Sequence, residues 1–231
     1  MSFPVDPRAR WVLIYRWVVF LLAAGFMIRQ LVVAADYGHA GGPFRYLTIW
    51  ALVLSFVAAS RMLALTEGRS EKTWSRLVMV AAVANGLTVL MYWRLWLQDP
   101  ALVVAGDPLP LWVDYYLHGV GPVLQWIDVL FIYGGFRRPM RAVLPFLGVA
   151  LGYLAWVELF VGPFNDFPVG PVTDGLPYPF LNALEPAARL QFYGVTVVTG
   201  LVILGLFAGL AWGIRQLQPT SAARSAESPD R

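Results

Sequence analysis

The sequence contains no cysteine. Disulfides, thiolate nucleophiles and cysteine-based metal sites are therefore excluded. Charge is scarce too: 13% of the 231 residues are charged, against about 25% in ordinary soluble domains. There is no Gly-x-Ser-x-Gly elbow, which excludes an α/β-hydrolase. Walker and dinucleotide-binding loops are also missing. Only His118 among the two histidines falls inside an apolar run, so a paired-histidine haem has no second ligand. Of the 17 basic residues only Lys72 is a lysine, an arginine bias that points to a GC-rich bacterial source.

What is abundant is apolar length. The chain is 58% hydrophobic, with a mean hydropathy of +0.62. Six apolar runs stand near 11–35, 45–66, 75–97, 112–133, 141–162 and 187–213. Each is long enough to cross a hydrocarbon core of about 30 Å with some tilt. The short alternating segments of a membrane β-barrel are absent. The expected fold is an all-α integral membrane protein, a single bundle of six transmembrane helices over 1–218. A polar tail at 219–231 is expected to be disordered. The first run exceeds the apolar region of a cleavable signal and holds Arg16 and Arg29; residues 33–36 are a small-residue stretch that resembles a cleavage site.

The basic residues have a topological explanation, so a net charge of +3 does not imply nucleic acid. Arg8 and Arg10, Arg61 to Arg76, Arg137 to Arg141, and Arg215 onward all fall on one side of an alternating bundle. The opposite links carry Asp36, Asp99, Asp107, Asp166, Asp174 and Glu185. The positive-inside rule puts both termini, and the tail, in the cytoplasm; in a bacterium the membrane is the inner one. The stretch 163–186 is rich in Pro and Gly and reads as an outer loop, re-entrant through Phe164, Phe167, Tyr178, Phe180 and Leu181.

Thr48 lies about 5 Å below the outer face and His118 about 9 Å below it, at 1.5 Å per helical residue. A lone imidazole at membrane depth is costly and tends to be functional. A hydroxyl at matching depth supplies the other half of a nucleophile–base pair. The simpler readings stand beside these. Thr48 could bond the carbonyl one turn back, and His118 could hold Glu158 between helices. Asp114, at i−4 from His118, could orient the ring or complement a helix start. Glu158 is a His partner or a neutral carboxyl. Arg29, Arg94 and Glu158 lie in the same outer third, where a polar pocket is expected. Deeper, Arg16 or Arg61 is expected to neutralise Asp128. A zinc site would need His39 to fold back onto His118 and carboxylates.

Three segments resemble the androgen-induced gene 1-like family. Residues 41–48, Gly-Gly-Pro-Phe-Arg-Tyr-Leu-Thr, are similar to its Gly-Gly-x-Trp-Lys-Tyr-Leu-Thr. Asp114-Tyr-Tyr-Leu-His118 with Pro122 resembles its Asn-His-x-x-His-x-x-x-x-Pro stretch. Residues 178–181, Tyr-Pro-Phe-Leu, followed by 185–189 and 192–194, resemble a third. The resemblance implies a multi-pass hydrolase of fatty acid esters of hydroxy fatty acids, working through an acyl-threonine. It puts the nucleophile at Thr48 and the base at His118, with no metal or organic cofactor. Asp114 departs from the animal members' Asn, Glu158 stands near a family His, and 163–177 has no clear counterpart.

Tyr46, Asn85, Tyr92 and Arg94 are oxyanion-donor candidates by depth, and Asp114 and Glu158 support candidates. Arg94, Arg29 and Arg189 are candidates for a substrate carboxylate, since Arg suits planar carboxylates. The lipid ester is expected to enter from the bilayer. Small residues such as Gly86 and Gly121 are expected to make room for its acyl chains. The competing function class is a lipid-binding protein or small transporter without hydrolysis, whose polar groups line a passage.

Overall fold

The computed structural model describes residues 5–103, 109–165 and 175–217. Every regular element in them is helical. In chain order the long helices are α1 (Arg10–Val33), α2 (Leu47–Thr66), α3 (Ser75–Trp96), α4 (residues 111–132), α5 (Met140–Val161) and α6 (Pro186–Leu217). Five of them, all but α4, are long and apolar enough to cross a membrane. The fourth is as long as α3, but Asp114, His118, Gln125 and Asp128 lower its hydropathy. The chain is thus an all-helical integral membrane protein with five candidate spans.

Three helix ends differ from the expected ones by two residues or more, and the first is that of α1, which stops at Val33 rather than 35. α2 starts at Leu47 rather than 45, because Pro43 and two positive-φ glycines first build a 3-10 turn over Gly42–Arg45. α6 is helical to Leu217, a turn past 213, and no proline or glycine interrupts residues 214–217. The expected tail lies outside the described residues, as do Asp107 and the 166–174 part of the outer loop.

α3 is the central helix. Val78 to Thr88 is buried without a break. Helices in a membrane associate by close packing rather than by expulsion of water, so small residues set their approach. Ala81, Ala82 and Ala84 supply that surface, and Gly86 takes the closest contact. A Cβ there would stand 2.8 Å from Ile203 Cγ2 on α6. Gly86 is therefore a packing position and not the wall of an acyl tunnel, contrary to expectation. On α6, Gly200 receives the ring of Phe146 in the same way, with a Cβ 2.1 Å from Cζ. The outward faces, with Leu21, Val32, Leu144, Leu159 and Leu206 exposed, present apolar surface where lipid belongs.

One ion pair locks the end of the bundle away from Thr48. Arg16, 1% exposed, grips Asp128 with two N–H donors at 2.9 and 2.7 Å. Its third nitrogen donates to Thr66 Oγ1 at 2.6 Å and Met62 O at 3.2 Å. This ties α1, α2 and α4 together and satisfies both charges, which a buried pair requires. Arg61 takes no part; its guanidinium lies over Trp74, 5.2 Å from the ring centre.

Candidate active site

Thr48 is delivered by a pinned turn. Gly41 and Gly42 have φ of +82° and +49°, a region that L side chains enter at a cost. A Cβ on Gly41 would also meet Val161 at 2.8 Å. The chain then makes its 3-10 turn and enters α2 at Leu47, one residue before Thr48. Four side chains hold the turn. Trp50 and Trp156 both donate to Phe44 O, at 2.8 and 3.2 Å. Tyr153 donates to Arg45 O at 3.0 Å, and Leu47 N–H donates to the Tyr178 hydroxyl at 3.1 Å. Phe44 O is the carbonyl one turn before Thr48. Two indoles occupy it, so the hydroxyl is not spent on local back-bonding.

The hydroxyl meets His118 instead. Thr48 Oγ1 lies 3.2 Å from His118 Nε2, and His118 Nδ1 lies 2.9 Å from Asp114 Oδ1. An ionised carboxylate only accepts, so Nδ1 carries the proton and Nε2 presents its lone pair to Thr48. His118 is 3% exposed, and its ring lies flat on Tyr92, with centroids 3.5 Å apart and planes 2° apart. The Tyr92 hydroxyl faces the Asp114 carboxylate.

Local sequence explains the ring's position. Pro122 has no N–H to give to the carbonyl four residues back, and its ring crowds that carbonyl. That carbonyl belongs to His118. α4 accordingly opens into a π-helical turn over Tyr116–Val120, where His118 adopts φ −110° and ψ 15°. The freed carbonyl accepts from Trp93 Nε1 at 2.7 Å. Single π turns of this kind often mark functional sites.

Thr48 borders two cavities. The larger, about 100 Å³, lies among α2, α3, α5, α6 and the 178–181 segment. Its exposed wall is almost wholly apolar, with Leu87, Met91, Ala150 and Leu154 among its residues, although threonines and tyrosines also line it. The 178–181 segment packs against the helices: Leu181 is buried, and Asn182 stitches it down with bonds to the backbone of Leu176 and Tyr178 at 2.9 to 3.1 Å. Phe164, expected to turn inward with it, is exposed, and Phe167 lies outside the described residues. The smaller cavity, about 20 Å³, lies on the other side, among α1, α2, α3 and α4.

The remaining candidates fall elsewhere. Glu158 does not touch His118; it pairs with Arg189 at 3.1 Å and accepts from Tyr193 at 2.5 Å. Arg29 donates to Gln30 and lies over Trp112, and Arg94 is exposed. None of the three arginines borders either cavity. Tyr46 packs edge-on against Tyr178 and under Arg45. Asn85 sits deeper, bonded to Ser55 and Gln125. His39 bonds Asp36 at 2.7 Å, and among the described residues no three His, Asp or Glu side chains gather as a zinc site would need. Asp36 also meets Arg45 at 3.0 Å. Its carboxyl is held down at about 2, chiefly by the Gly38 N–H, with burial opposing and Arg45 and His39 assisting.

Tyr178, Trp93 and Gln125 were not singled out by the sequence as site residues. Tyr178 stood in a motif, but only the fold brings it beside Thr48. Trp93 and Gln125 carry no charge, and a search for intramembrane charges passes over them.

No curated protein and no solved structure matches the chain. Its residues 11–211 match the family described as FAR-17a/AIG1-like protein, a span that includes Thr48, Asp114, His118 and every long helix but the ends of α1 and α6. The chain belongs to the FAR-17a/AIG1-like family.

Proposed function

We propose that this protein is an intramembrane lipid-ester hydrolase that works through an acyl-threonine. The observation that carries the reading is the relay from Thr48 through His118 to Asp114, set at the wall of an apolar cavity. Family membership supports it, since the family is associated with hydrolase activity. Thr48 Oγ attacks the ester carbonyl carbon while its proton passes to His118 Nε2. The ester C–O bond to the alcohol breaks, and His118 returns that proton to the departing alkoxide. Water then attacks the acyl-threonine, its proton passing by way of His118 to Thr48 Oγ, and a fatty acid leaves. Asp114 is a positioning residue that fixes the tautomer and stabilises the transient imidazolium. Thr48 lies in the first turn of α2, where amides have no intrahelical acceptor. Its own N–H and the Tyr178 hydroxyl are the donors on the cavity side for the oxyanion.

The substrate class is a long-chain ester, of which fatty acid esters of hydroxy fatty acids are the proposed example. It enters sideways from the bilayer and lays its acyl chain in the larger cavity. In this reading α4 spans the membrane with the other five helices, and both termini lie in the cytoplasm of a bacterial inner membrane. A fluorophosphonate probe tests the chemistry. The hydrolase reading expects a covalent adduct on Thr48 that is lost in Thr48→Ala. A purely lipid-binding protein would occupy the cavity with fatty acid yet form no adduct, and that result would refute the proposal.

A further inference from the structure

The second cavity beside Thr48 is small, polar at its base and separate from the acyl-chain cavity. It runs along α2 past Thr48, Leu52 and Ser55, and is closed by Val19 and Ala23 on α1, Gly121 and Gln125 on α4, and Asn85 on α3. Its volume is about 20 Å³. A cavity needs at least roughly 10–15 Å³ on this measure to hold a water, together with two to four polar partners.

The base supplies those partners. Asn85 Nδ2 donates to Ser55 Oγ at 2.7 Å and to Gln125 Oε1. Ser55 Oγ lies 3.4 Å from the same oxygen and donates to Ala51 O at 2.8 Å. With its oxygen engaged, Gln125 is left with a buried amide nitrogen that has no partner. Gln125 is 6% exposed and Asn85 4%. Buried amide donors are rarely left unbonded, and ordered water is the usual remedy. No apolar chain satisfies such a group, so this cavity and the larger one suit different occupants.

We infer that this cavity is the site of the hydrolytic water, held by Gln125, Asn85 and Ser55 on the side of Thr48 away from the acyl chain. The inference rests on the acyl-threonine reading above. The acyl group lies in the apolar cavity, and water is stored behind the nucleophile. In deacylation the water oxygen bonds to the acyl carbon, the bond from that carbon to Thr48 Oγ breaks, and one water proton reaches Oγ through His118 Nε2. Gln125, Asn85 and Ser55 act through the water and are positioning residues. The polar base stands about two turns along α2 from Thr48, roughly 10 Å at 1.5 Å per residue, and the stored water travels along the cavity to the acyl carbon, since the cavity reaches Thr48.

The test uses the full-length protein in detergent or nanodiscs, with a long-chain p-nitrophenyl ester. Gln125→Met keeps the side chain's length and removes the amide. Ala23→Val fills the cavity from α1 without touching the relay. Both variants should take up fluorophosphonate at the wild-type rate, because phosphonylation of Thr48 needs no water. Both should release one equivalent of nitrophenol in a burst, then turn over about tenfold or more slowly, with acyl-Thr48 accumulating in the intact mass. Where Gln125→Met fails to fold, Ala23→Val decides. Wild-type labelling with unchanged turnover and no acyl-enzyme would overturn the water site while leaving the hydrolase intact. Absence of any Thr48 adduct in the wild-type protein would instead remove the hydrolase reading on which the site depends.

Discussion

Replacing Asp114 separates the two things its carboxylate does for His118. The carboxylate accepts from Nδ1 at 2.9 Å, and it adds a negative charge beside a ring that becomes positive during the reaction. In Asp114→Asn the amide oxygen still accepts from Nδ1–H, so the tautomer survives and only the charge is lost. Charged hydrogen bonds contribute about 1.5–3 kcal/mol and neutral ones about 0.5–1.5 kcal/mol. The difference is about 1–1.5 kcal/mol, or roughly tenfold in kcat at 1.36 kcal/mol per decade. Asp114→Ala loses both functions. Ring orientation is partly kept by the stacking with Tyr92, but either nitrogen can then carry the proton. A loss of about 10²–10³-fold is expected, in the range of general-base contributions. The assay is steady-state ester hydrolysis by purified variants, with KM and kcat separated and folding checked by thermal shift. The expected order is wild type, Asn, then Ala, with the change in kcat. Asp114→Ala within twofold of wild type would show that Asp114 merely complements a helix start and that no relay exists.

Tyr178→Phe should lower kcat by about 10²-fold with little change in KM, the signature of a lost oxyanion donor; stopped-flow acylation rates measure it. Arg16→Met leaves Asp128 buried without its partner and should destabilise the fold by about 3–5 kcal/mol. The double variant Arg16→Met with Asp128→Leu should recover most of that loss in a detergent unfolding series. Ala150→Phe places an aromatic ring in the larger cavity and should shift the preferred acyl chain to shorter lengths, read from a panel of esters.

Five of the helices were legible in the sequence as apolar runs long enough to span a membrane; α4 matches them in length, but its polar residues lower its hydropathy. The short segments between them were less so. The start of α2 depends on where two glycines take positive φ and on which indoles reach Phe44 O, and neither is a periodic signal. Thr48 and His118 stood out as polar groups at one depth, and the fold brings their atoms within hydrogen-bond distance. Pro122 was visible, but its consequence lay four residues earlier, in the carbonyl it leaves without a donor. Counting residues along a helix grouped Glu158 with Arg29 and Arg94, but position along a helix says nothing about which way a side chain points around it. Glu158 turned to Arg189 and Tyr193, and Asn85 lay deeper than Thr48 because its bonding partner Ser55 sits two turns further along α2. The apolar cavity joins six separate segments and has no local signature at all.

The role of Thr48 is tested most directly by ester hydrolysis with purified, folded Thr48→Ala and Thr48→Ser. Thr48→Ala is expected to lose activity to the level of the uncatalysed reaction and to carry no acyl adduct. Thr48→Ser keeps the hydroxyl and should retain turnover, with the adduct moving to the new side chain at position 48. Substantial hydrolysis by Thr48→Ala would contradict covalent catalysis at this residue.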